Sequence, residues 1–258
     1  MCLIAFAWRS HPRYSLVVAA NRDEFHARST APAGFWSDAP QVLAGRDLER
    51  GGTWMGVTRS GRFAALSNYR DLERSDPSRP SRGALVADYL RGEASAEEYA
   101  RAIEAEKSAY HGLNLLLGDG YALYYVSNRG HDTVPVEEGV HAVSNGLLDE
   151  PWPKVVRARE ALGELLEGDR LEPDNLLGML ADTRPAPPEA LPDTGVGQEK
   201  EYFLSPVFIR GESYGTRAST VLLIDAAGVE YVERRFAPNG RNPSTRRETF
   251  LLQAGAVP

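Results

Sequence analysis

Two short apolar runs at the beginning of the chain place the strongest constraint on its fold. Residues 3–8 and 14–20 are rich in the apolar side chains that favour strands, and the polar residues 9–13 lie between them. A polar segment that contains proline, between two apolar runs, is typical of a hairpin loop. The sequence therefore predicts that the chain begins with an antiparallel hairpin.

The register of this hairpin decides which side chains meet at its open end. Opposed strands pair one residue to one, so pairing about the centre of the loop sets Cys2 opposite Ala20 or Asn21. The ionised residues Arg22 and Asp23 follow directly. We therefore predict that the only thiol of the chain, together with its potential α-amino group, lies beside this charged pair at one end of a sheet.

Cys2 at this position has the chemistry of an N-terminal nucleophile. A thiol with a pKa of about 8.5 needs a base or a nearby cation to attack well, and an α-amino group with a pKa of about 7.7 to 8.0 is a suitable base. Cys2 would supply both groups once a methionine aminopeptidase removes Met1. A single cysteine in a strand is otherwise a small buried hydrophobic residue, and position alone leaves both interpretations open.

The cysteine count and the net charge limit the classes of function. One cysteine in 258 residues excludes an internal disulfide framework, and it suits a reducing cytoplasm. A net charge of -7 argues against non-specific nucleic-acid binding, so we predict no nucleic-acid partner. The opening apolar run is too short to span a bilayer. An even spread of strand and turn signals, without a long linker, predicts one domain over residues 1–258.

The remaining patterns predict an α+β protein whose antiparallel sheets are covered by helices. Strand-like runs separated by turns occupy residues 51–57, 62–68, 113–117, 121–126, 139–143, 205–210, 220–225, 229–236 and 248–252, and a weaker strand follows a turn at residues 128–130. Helices are expected after Ser81, after Ser95, from a cap at Asp149 to about residue 166, and over residues 173–180. Residues 25–38 and 184–197 are predicted irregular loops, either of which could cover a site.

Two asparagines end predicted strands. A second hairpin, with its turn at residues 60–61, sets Thr53 opposite Asn68. The Asn68 amide could stabilise an oxyanion in a pocket, and the alternative is that asparagine tolerates the backbone geometry of a strand end. Asn145 likewise follows the run at 139–143.

Seven short blocks together resemble the NRDE family, also called the transport and Golgi organization family. They are MCLI at the start, NRDE at 21–24, GTWMG at 52–56, SN at 67–68, NLL at 114–116, SN at 144–145 with Asp149, Pro151 and Trp152, and YGTRAST at 214–220. Their order and span make the resemblance specific over essentially the whole chain. Since members are linked to haem trafficking and to lipid or acyl-CoA metabolism, the resemblance implies such a role here.

The same positions are similar to those of a remoter group, the cysteine N-terminal nucleophile hydrolases that cleave penicillin V and conjugated bile salts. Those enzymes use an N-terminal cysteine, an arginine and an aspartate soon after the first hairpin, two asparagines and a late arginine. By this resemblance the catalytic residues are Cys2, Arg22, Asp23, Asn68, Asn145 and Arg217. The implied fold is a four-layer αββα sandwich, in agreement with the α+β pattern above.

This resemblance implies attack of the Cys2 sulfur on an amide or thioester carbonyl. Asn68 and Asn145 would stabilise the oxyanion. Asp23 would hold the amine, while Arg22 and Arg217 would lower the pKa of the thiol through their positive charge. A structural salt bridge between Arg22 and Asp23, and simple packing of Arg217 among small residues, are the competing interpretations.

The alternative class is a carrier that binds haem, a lipid or acyl-CoA in the same cleft and passes it on without cleavage. Hydrolysis of this type requires no cofactor, so haem enters only as a cargo. A thiolate or a histidine can ligate haem iron. The histidines are scattered, however, and surface or structural positions are expected for His11, His26, His111, His131 and His141. In either class the partner is a small-molecule ligand or substrate.

Overall fold

The computed structural model describes residues 2–72, 76–130 and 133–253, so Met1 and His131 lie outside the described residues. Its strands are β1 (Cys2–Trp8), β2 (Tyr14–Phe25), β3 (Thr30–Trp36), β4 (Ala39–Asp47), β5 (Met55–Thr58), β6 (Phe63–Asn68), β7 (Leu113–Gly118), β8 (Leu123–Ser127), β9 (Val134–Pro135), β10 (Gly139–Val143), β11 (Tyr214–Asp225), β12 (Gly228–Ala237) and β13 (Arg241–Leu251). Its α-helices are α1 (Arg82–Arg91), α2 (Ala96–Glu106), α3 (Pro153–Glu167), α4 (Pro173–Met179) and α5 (Gln198–Phe203).

Two antiparallel sheets pack face to face between two layers of helices. The first sheet has the order β10-β1-β2-β11-β12-β13, and the second runs from β3 to β9 in chain order. An apolar core lies between the sheets, α3 and α4 cover the outer face of the first, and α1 and α2 cover the outer face of the second. The predicted four-layer αββα sandwich is confirmed. None of the helices formed by the described residues is long and apolar enough to cross a membrane.

Side chains alternate across the first two strands, and this alternation sorts the polar residues at their ends. Ile4 belongs to the core between the sheets, whereas Leu3 packs under the helices. Cys2 and Arg22 continue the row that faces the second sheet. Asp23 continues the other row, on the face covered by the helices. The end of this hairpin therefore presents different charges on its two faces.

The predicted register of the first hairpin is wrong. Cys2 pairs with Arg22, not with Ala20 or Asn21. The ring Nδ1 of His11 accepts two backbone N–H bonds of 3.2 and 3.3 Å within the loop, and the strands pair about a centre one position later than predicted. Because opposite residues share a face of the sheet, a guanidinium group rather than a methyl group lies beside the thiol.

The second hairpin turns at residues 60–61 as predicted, but Thr53 does not face Asn68. β5 begins two residues after Thr53, whose backbone N–H donates instead to the carbonyl of Gly83 near the start of α1. Asn68 pairs with Leu113 of β7 at the far end of β6. The hairpin therefore leaves the Asn68 side chain without a cross-strand threonine.

Two other segments differ from the prediction. Residues 25–38 are not an irregular loop, because β2 continues to Phe25 and β3 follows. β3 lies at the edge of its sheet, where proline is tolerated, and Pro32 lies at a shift in the register with β4. Residues 205–210 form no strand, whereas residues 184–197 are irregular as predicted, apart from one 3-10 turn at Pro188–Ala190.

α2 begins with a complete capping box. The Ser95 hydroxyl accepts the Glu98 backbone N–H at 3.2 Å, and the Glu98 carboxylate accepts the Ser95 backbone N–H at 2.9 Å. Ser81 precedes α1 but makes no capping bond through its side chain. We expect Ser95→Ala to lower the free energy of unfolding by about 1 kcal/mol, and Ser81→Ala to lower it by much less. Urea denaturation measures both; equal losses would contradict this account of the caps.

Candidate functional site

One cavity of about 290 Å³ opens at the end of the first hairpin. Five predicted site residues line it, namely Cys2, Arg22, Asp23, Asn68 and Arg217. The sixth, Asn145, is fully buried and does not belong to the cavity wall. Residues far apart in the sequence therefore meet around one thiol, and the catalytic role of each stays a prediction.

Cys2 is the first residue of β1 and is 8% exposed, at the cavity wall. Burial raises the pKa of the Cys2 thiol, and the charge of Asp23 adds to this effect. The guanidinium of Arg22 and a hydrogen bond from the backbone N–H of Asp23 act in the opposite direction. The thiol is therefore largely protonated at neutral pH, and reaction at sulfur needs a base or additional positive charge.

Arg22 and Asp23 do not face each other as a salt bridge would require. Consecutive residues of a strand point to opposite faces, and the carboxylate beside Arg22 is that of Glu24, with 3.7 Å between Nη2 and Oε2. Glu24 also lies 3.9 Å from the guanidinium of Arg28. Glu24, for which the sequence suggested no role, therefore neutralises part of the arginine charge at the cavity.

Asp23 is 1% exposed and is held by β11. Its Oδ1 accepts the Thr216 hydroxyl at 2.6 Å, and its backbone carbonyl accepts the Tyr214 hydroxyl at 3.1 Å. Burial raises the pKa of the Asp23 carboxyl, whereas the nearby Lys154 ammonium is the largest of the groups that lower it. Asp23 is therefore a fixed carboxylate at the end of the sheet, suited to holding an amine or ammonium group.

Arg217 lies at a β-bulge between Thr216 and Ala218, where β11 gains one residue relative to β2. Bulges redirect side chains and often occur next to functional sites. The redirected Arg217 guanidinium donates to the backbone carbonyls of Phe25 and Arg28. Burial lowers the pKa of Arg217, and the positive charges of nearby arginines lower it further. The Arg217 guanidinium is therefore held in a specific orientation by hydrogen bonds, and the side chain does more than fill space among small residues.

Asn68 and Asn145 have different positions. Asn68 is partly exposed at the cavity wall, at the end of β6. The Asn145 side-chain amide donates to the backbone carbonyl of Asn68 at 2.7 Å. Its amide oxygen accepts the Ser144 hydroxyl at 3.2 Å, and that hydroxyl also donates to the carbonyl of Cys2 at 2.9 Å. Asn145 thus joins the end of β6 to the start of β1, while Asn68 is the asparagine that lines the cavity.

The cavity wall as a whole is rich in arginine. The eight arginines are Arg22, Arg28, Arg46, Arg50, Arg79, Arg82, Arg217 and Arg235, and the five acidic residues are Asp23, Glu24, Asp47, Asp76 and Glu233. Burial raises the pKa of the Glu233 carboxyl. The cavity is thus cationic although the whole chain carries a charge of -7, and it favours anionic ligands.

Thr216, Tyr214 and Lys154 also lie at this site, although no sequence pattern by itself predicts a role for them. Thr216 and Tyr214 lie inside the YGTRAST block, so that block is the signal that could have found them. Lys154 lies in the first turn of α3, where a lysine is normally exposed, yet it is 2% exposed. Burial lowers the pKa of Lys154 to about 8. Only the tertiary structure identifies it.

The described histidines make local contacts. His141 Nδ1 lies 2.6 Å from Asp149, which raises the pKa of His141. His11 lies 3.3 Å from Asp169, and His111 is the histidine that lines the cavity. Across residues 2–72, 76–130 and 133–253, no three His, Cys, Asp or Glu side chains are grouped so that they could hold a metal ion.

The layers of this structure, with the cysteine at the start of a central strand, define the class of fold. The structure of an N-acylethanolamine-hydrolyzing acid amidase ortholog from Caenorhabditis elegans is similar with a TM-score of 0.53 and 13% identity, covering 86% of this chain and 92% of that chain. A cysteine-to-alanine variant of conjugated bile acid hydrolase from Clostridium perfringens is similar with a TM-score of 0.50 and 9% identity, covering 100% and 98%. The chain has the fold of N-terminal nucleophile hydrolases.

Sequence comparison gives the particular family. The profile described as Transport and Golgi organisation 2 matches residues 1–238, and the chain belongs to this family. The Transport and Golgi organization protein 2 homolog of Bos taurus is 35% identical over 280 residues, covering 98% of this chain and 100% of the relative. The homolog of Homo sapiens is 32% identical over 277 residues with the same coverage. The resemblance stated from the sequence is confirmed.

Proposed function

We propose that this protein cleaves an amide or thioester of an acylated small molecule through a covalent intermediate on Cys2. The observation that supports this most directly is the convergence of Cys2, Arg22, Asp23 and Asn68 on one cavity wall. Each supplies a group that acyl transfer needs: a nucleophile, a cation, an anchor for the amine and an oxyanion donor. The fold alone would not justify the proposal.

In the first step the thiol proton passes to the α-amino group of Cys2, directly or through a water, and sulfur attacks the carbonyl. The amine is available only after Met1 is removed. Asp23 holds the resulting ammonium, and Arg22 and Arg217 stabilise the thiolate. The Asn68 amide stabilises the oxyanion, the ammonium returns its proton to the leaving amine or thiol, and water then hydrolyses the acyl-enzyme.

The charge of the cavity narrows the substrate class within this proposal. A wall with eight arginines favours an acyl compound that carries phosphate or carboxylate groups. An acyl-CoA thioester meets both requirements, since it combines a reactive carbonyl with several phosphates. We therefore expect acyl-CoA to react faster than a neutral acyl amide of the same chain length.

The direct test is to look by mass spectrometry for an acyl adduct on Cys2. Incubation with acyl-CoA and with acyl amides is expected to add one acyl group to Cys2, which peptide mapping can assign because the chain has one cysteine. Cys2→Ala is the matched control and is expected to show no adduct. The intact mass of the protein from its native host establishes whether Met1 has been removed. Failure across broad substrate panels with a correctly processed chain would contradict the enzymatic proposal.

A carrier function is the second candidate, and the same charged wall supports it. Arginines suit the propionates of haem as well as the phosphates of acyl-CoA, and the Cys2 thiolate or His111 could ligate iron. Haem titration followed by absorbance tests this function. A saturable Soret shift that is lost in Cys2→Ala or His111→Ala would support a carrier, whereas a broad unsaturable response in all three proteins would oppose it.

A further inference from the structure

Lys154 is a buried cation that the proposed mechanism does not use. It is one of three lysines in the chain, follows Pro153 at the start of α3 and is 2% exposed. Among the described residues, its Nζ has no hydrogen-bond partner. A buried ammonium group is costly unless nearby negative charge stabilises it. The structure must therefore provide such charge close to Lys154.

The charges around Lys154 come from the end of the first sheet. α3 covers the outer face of this sheet, and Asp23 of β2 lies on the face that the helices cover. Burial lowers the pKa of Lys154, and Asp23 is the group that most opposes this effect; Cys2 opposes it less, while Arg70 and Arg157 add to it. Arg70 itself is paired with Glu201 of α5. Because α3 packs against β1, whose first residue is Cys2, the negative partners of this ammonium group are Asp23 and the Cys2 thiolate.

We infer that Lys154 is a positioning residue for Cys2. The buried ammonium group of Lys154, on the helix side of the sheet, balances the negative charges of Asp23 and of the Cys2 thiolate. The inference rests on the proposed function only for the catalytic use of the thiolate. The ionisation of Cys2 itself can be measured without any substrate.

The Lys154 ammonium group matters because ionisation of Cys2 adds a second negative charge beside Asp23. When Cys2 transfers its proton to the base, a negative charge forms in a buried site that already holds Asp23. Lys154 keeps its own proton throughout and lowers the cost of that charge, because electrostatic interactions are stronger where water is excluded. Loss of the lysine charge is therefore expected to raise the pKa of the thiol.

The rate at which iodoacetamide alkylates Cys2, measured by mass spectrometry at several pH values, tests this expectation. Cys2 is the only thiol, so the rate reports its thiolate alone. Lys154→Met is expected to slow alkylation about tenfold or more near neutral pH, which corresponds to one unit in the pKa of the thiol. The difference narrows at higher pH as both thiols ionise. Lys154→Arg is expected to restore part of the rate, and Lys200→Met, on the exposed surface of α5, to change nothing.

The inference would be overturned if the alkylation rate of Cys2 in Lys154→Met stays within about twofold of the rate in the unmodified chain at every pH. If this variant does not fold, a reciprocal measurement decides. The side chains of the three lysines can be labelled and titrated by nuclear magnetic resonance, with the signals assigned from Lys107→Arg and Lys200→Arg.

Coupling between two charges acts in both directions. Lys154 titrates while Cys2 is still a neutral thiol, so its charged partner at that pH is Asp23. If Lys154 balances the Asp23 carboxylate, the carboxylate stabilises the Lys154 ammonium, and Asp23→Asn is expected to lower the titration midpoint of Lys154 by about half a unit or more. Identical midpoints in the two proteins would overturn the inference. Neither experiment uses an acyl substrate, so absence of the acyl adduct would remove the proposed function and leave this result standing.

Discussion

A chain that carries any residue ahead of Cys2 will keep its fold but will form the acyl-enzyme about 10² to 10⁴ times more slowly than a chain that begins at Cys2. The reason is that an extension converts the α-amino group into a peptide nitrogen, which cannot accept the thiol proton. The comparison uses one protein with an uncleaved N-terminal extension and the same protein after a protease has released Cys2. Intact mass against time gives the rate of acyl addition.

The melting temperature and circular dichroism of the two proteins are the controls for folding. The released chain with Cys2→Ser is the control for the nucleophile, because it keeps the amine but lacks the thiol. An extended chain that acylates as fast as the released chain would show that the α-amine is not the base. In that case the base would have to be sought among other groups near the cavity.

Replacement of Asn68 by alanine is expected to slow acyl-enzyme formation about a hundredfold to a thousandfold. Asn68 is the predicted oxyanion donor on the cavity wall, and loss of one such donor removes stabilisation that exists only as the carbonyl is attacked. The measurement is the single-turnover rate of acyl addition to Cys2 from a saturating acyl-CoA. Because the effect falls on the transition state, the rate is expected to fall more than the affinity.

Alkylation of the same thiol provides the sharpest control. Iodoacetamide reacts without forming an oxyanion, so Asn68→Ala is expected to alkylate at nearly the normal rate. Asn175→Ala, on the exposed surface of α4, is the matched control and is expected to affect neither reaction. Equal losses in alkylation and acylation would mean that Asn68 acts on the thiol or on the fold rather than on the oxyanion.

Asn145→Ala distinguishes a residue that positions Asn68 from one that contacts the oxyanion itself. The Asn145 amide donates to the partly buried backbone carbonyl of Asn68, so its loss leaves that acceptor unpaired and is expected to allow the end of β6 to move. A requirement for both asparagines is therefore expected although only one lines the cavity.

The sequence by itself determined the local features of this protein. Two apolar runs and the polar loop between them were sufficient to predict the first hairpin, and therefore to place Cys2 at a sheet end near Arg22 and Asp23. Periodic apolar residues, together with a serine before each helix, were sufficient to predict α1 and α2, although only Ser95 forms a cap through its side chain. These features depend on backbone periodicity and on neighbouring residues, which a single sequence displays directly.

Smaller errors arose where side chains decide the backbone path. The observed register accompanies two backbone hydrogen bonds to the His11 ring, which no pattern of apolar residues encodes. The proline and glycine of β3 are typical of a loop in sequence, yet they are tolerated at the edge of a sheet, and edge position is a property of the assembled sheet.

Tertiary structure alone decided what surrounds the thiol. Thr216 bonds to Asp23 across 193 positions of sequence, and the β-bulge that redirects Arg217 exists only because β11 pairs with β2. Lys154 became a buried cation because α3 packs against the sheet face that carries Asp23. Such contacts depend on which distant surfaces pack together, and packing is driven by the burial of apolar area over the whole chain rather than by any local pattern.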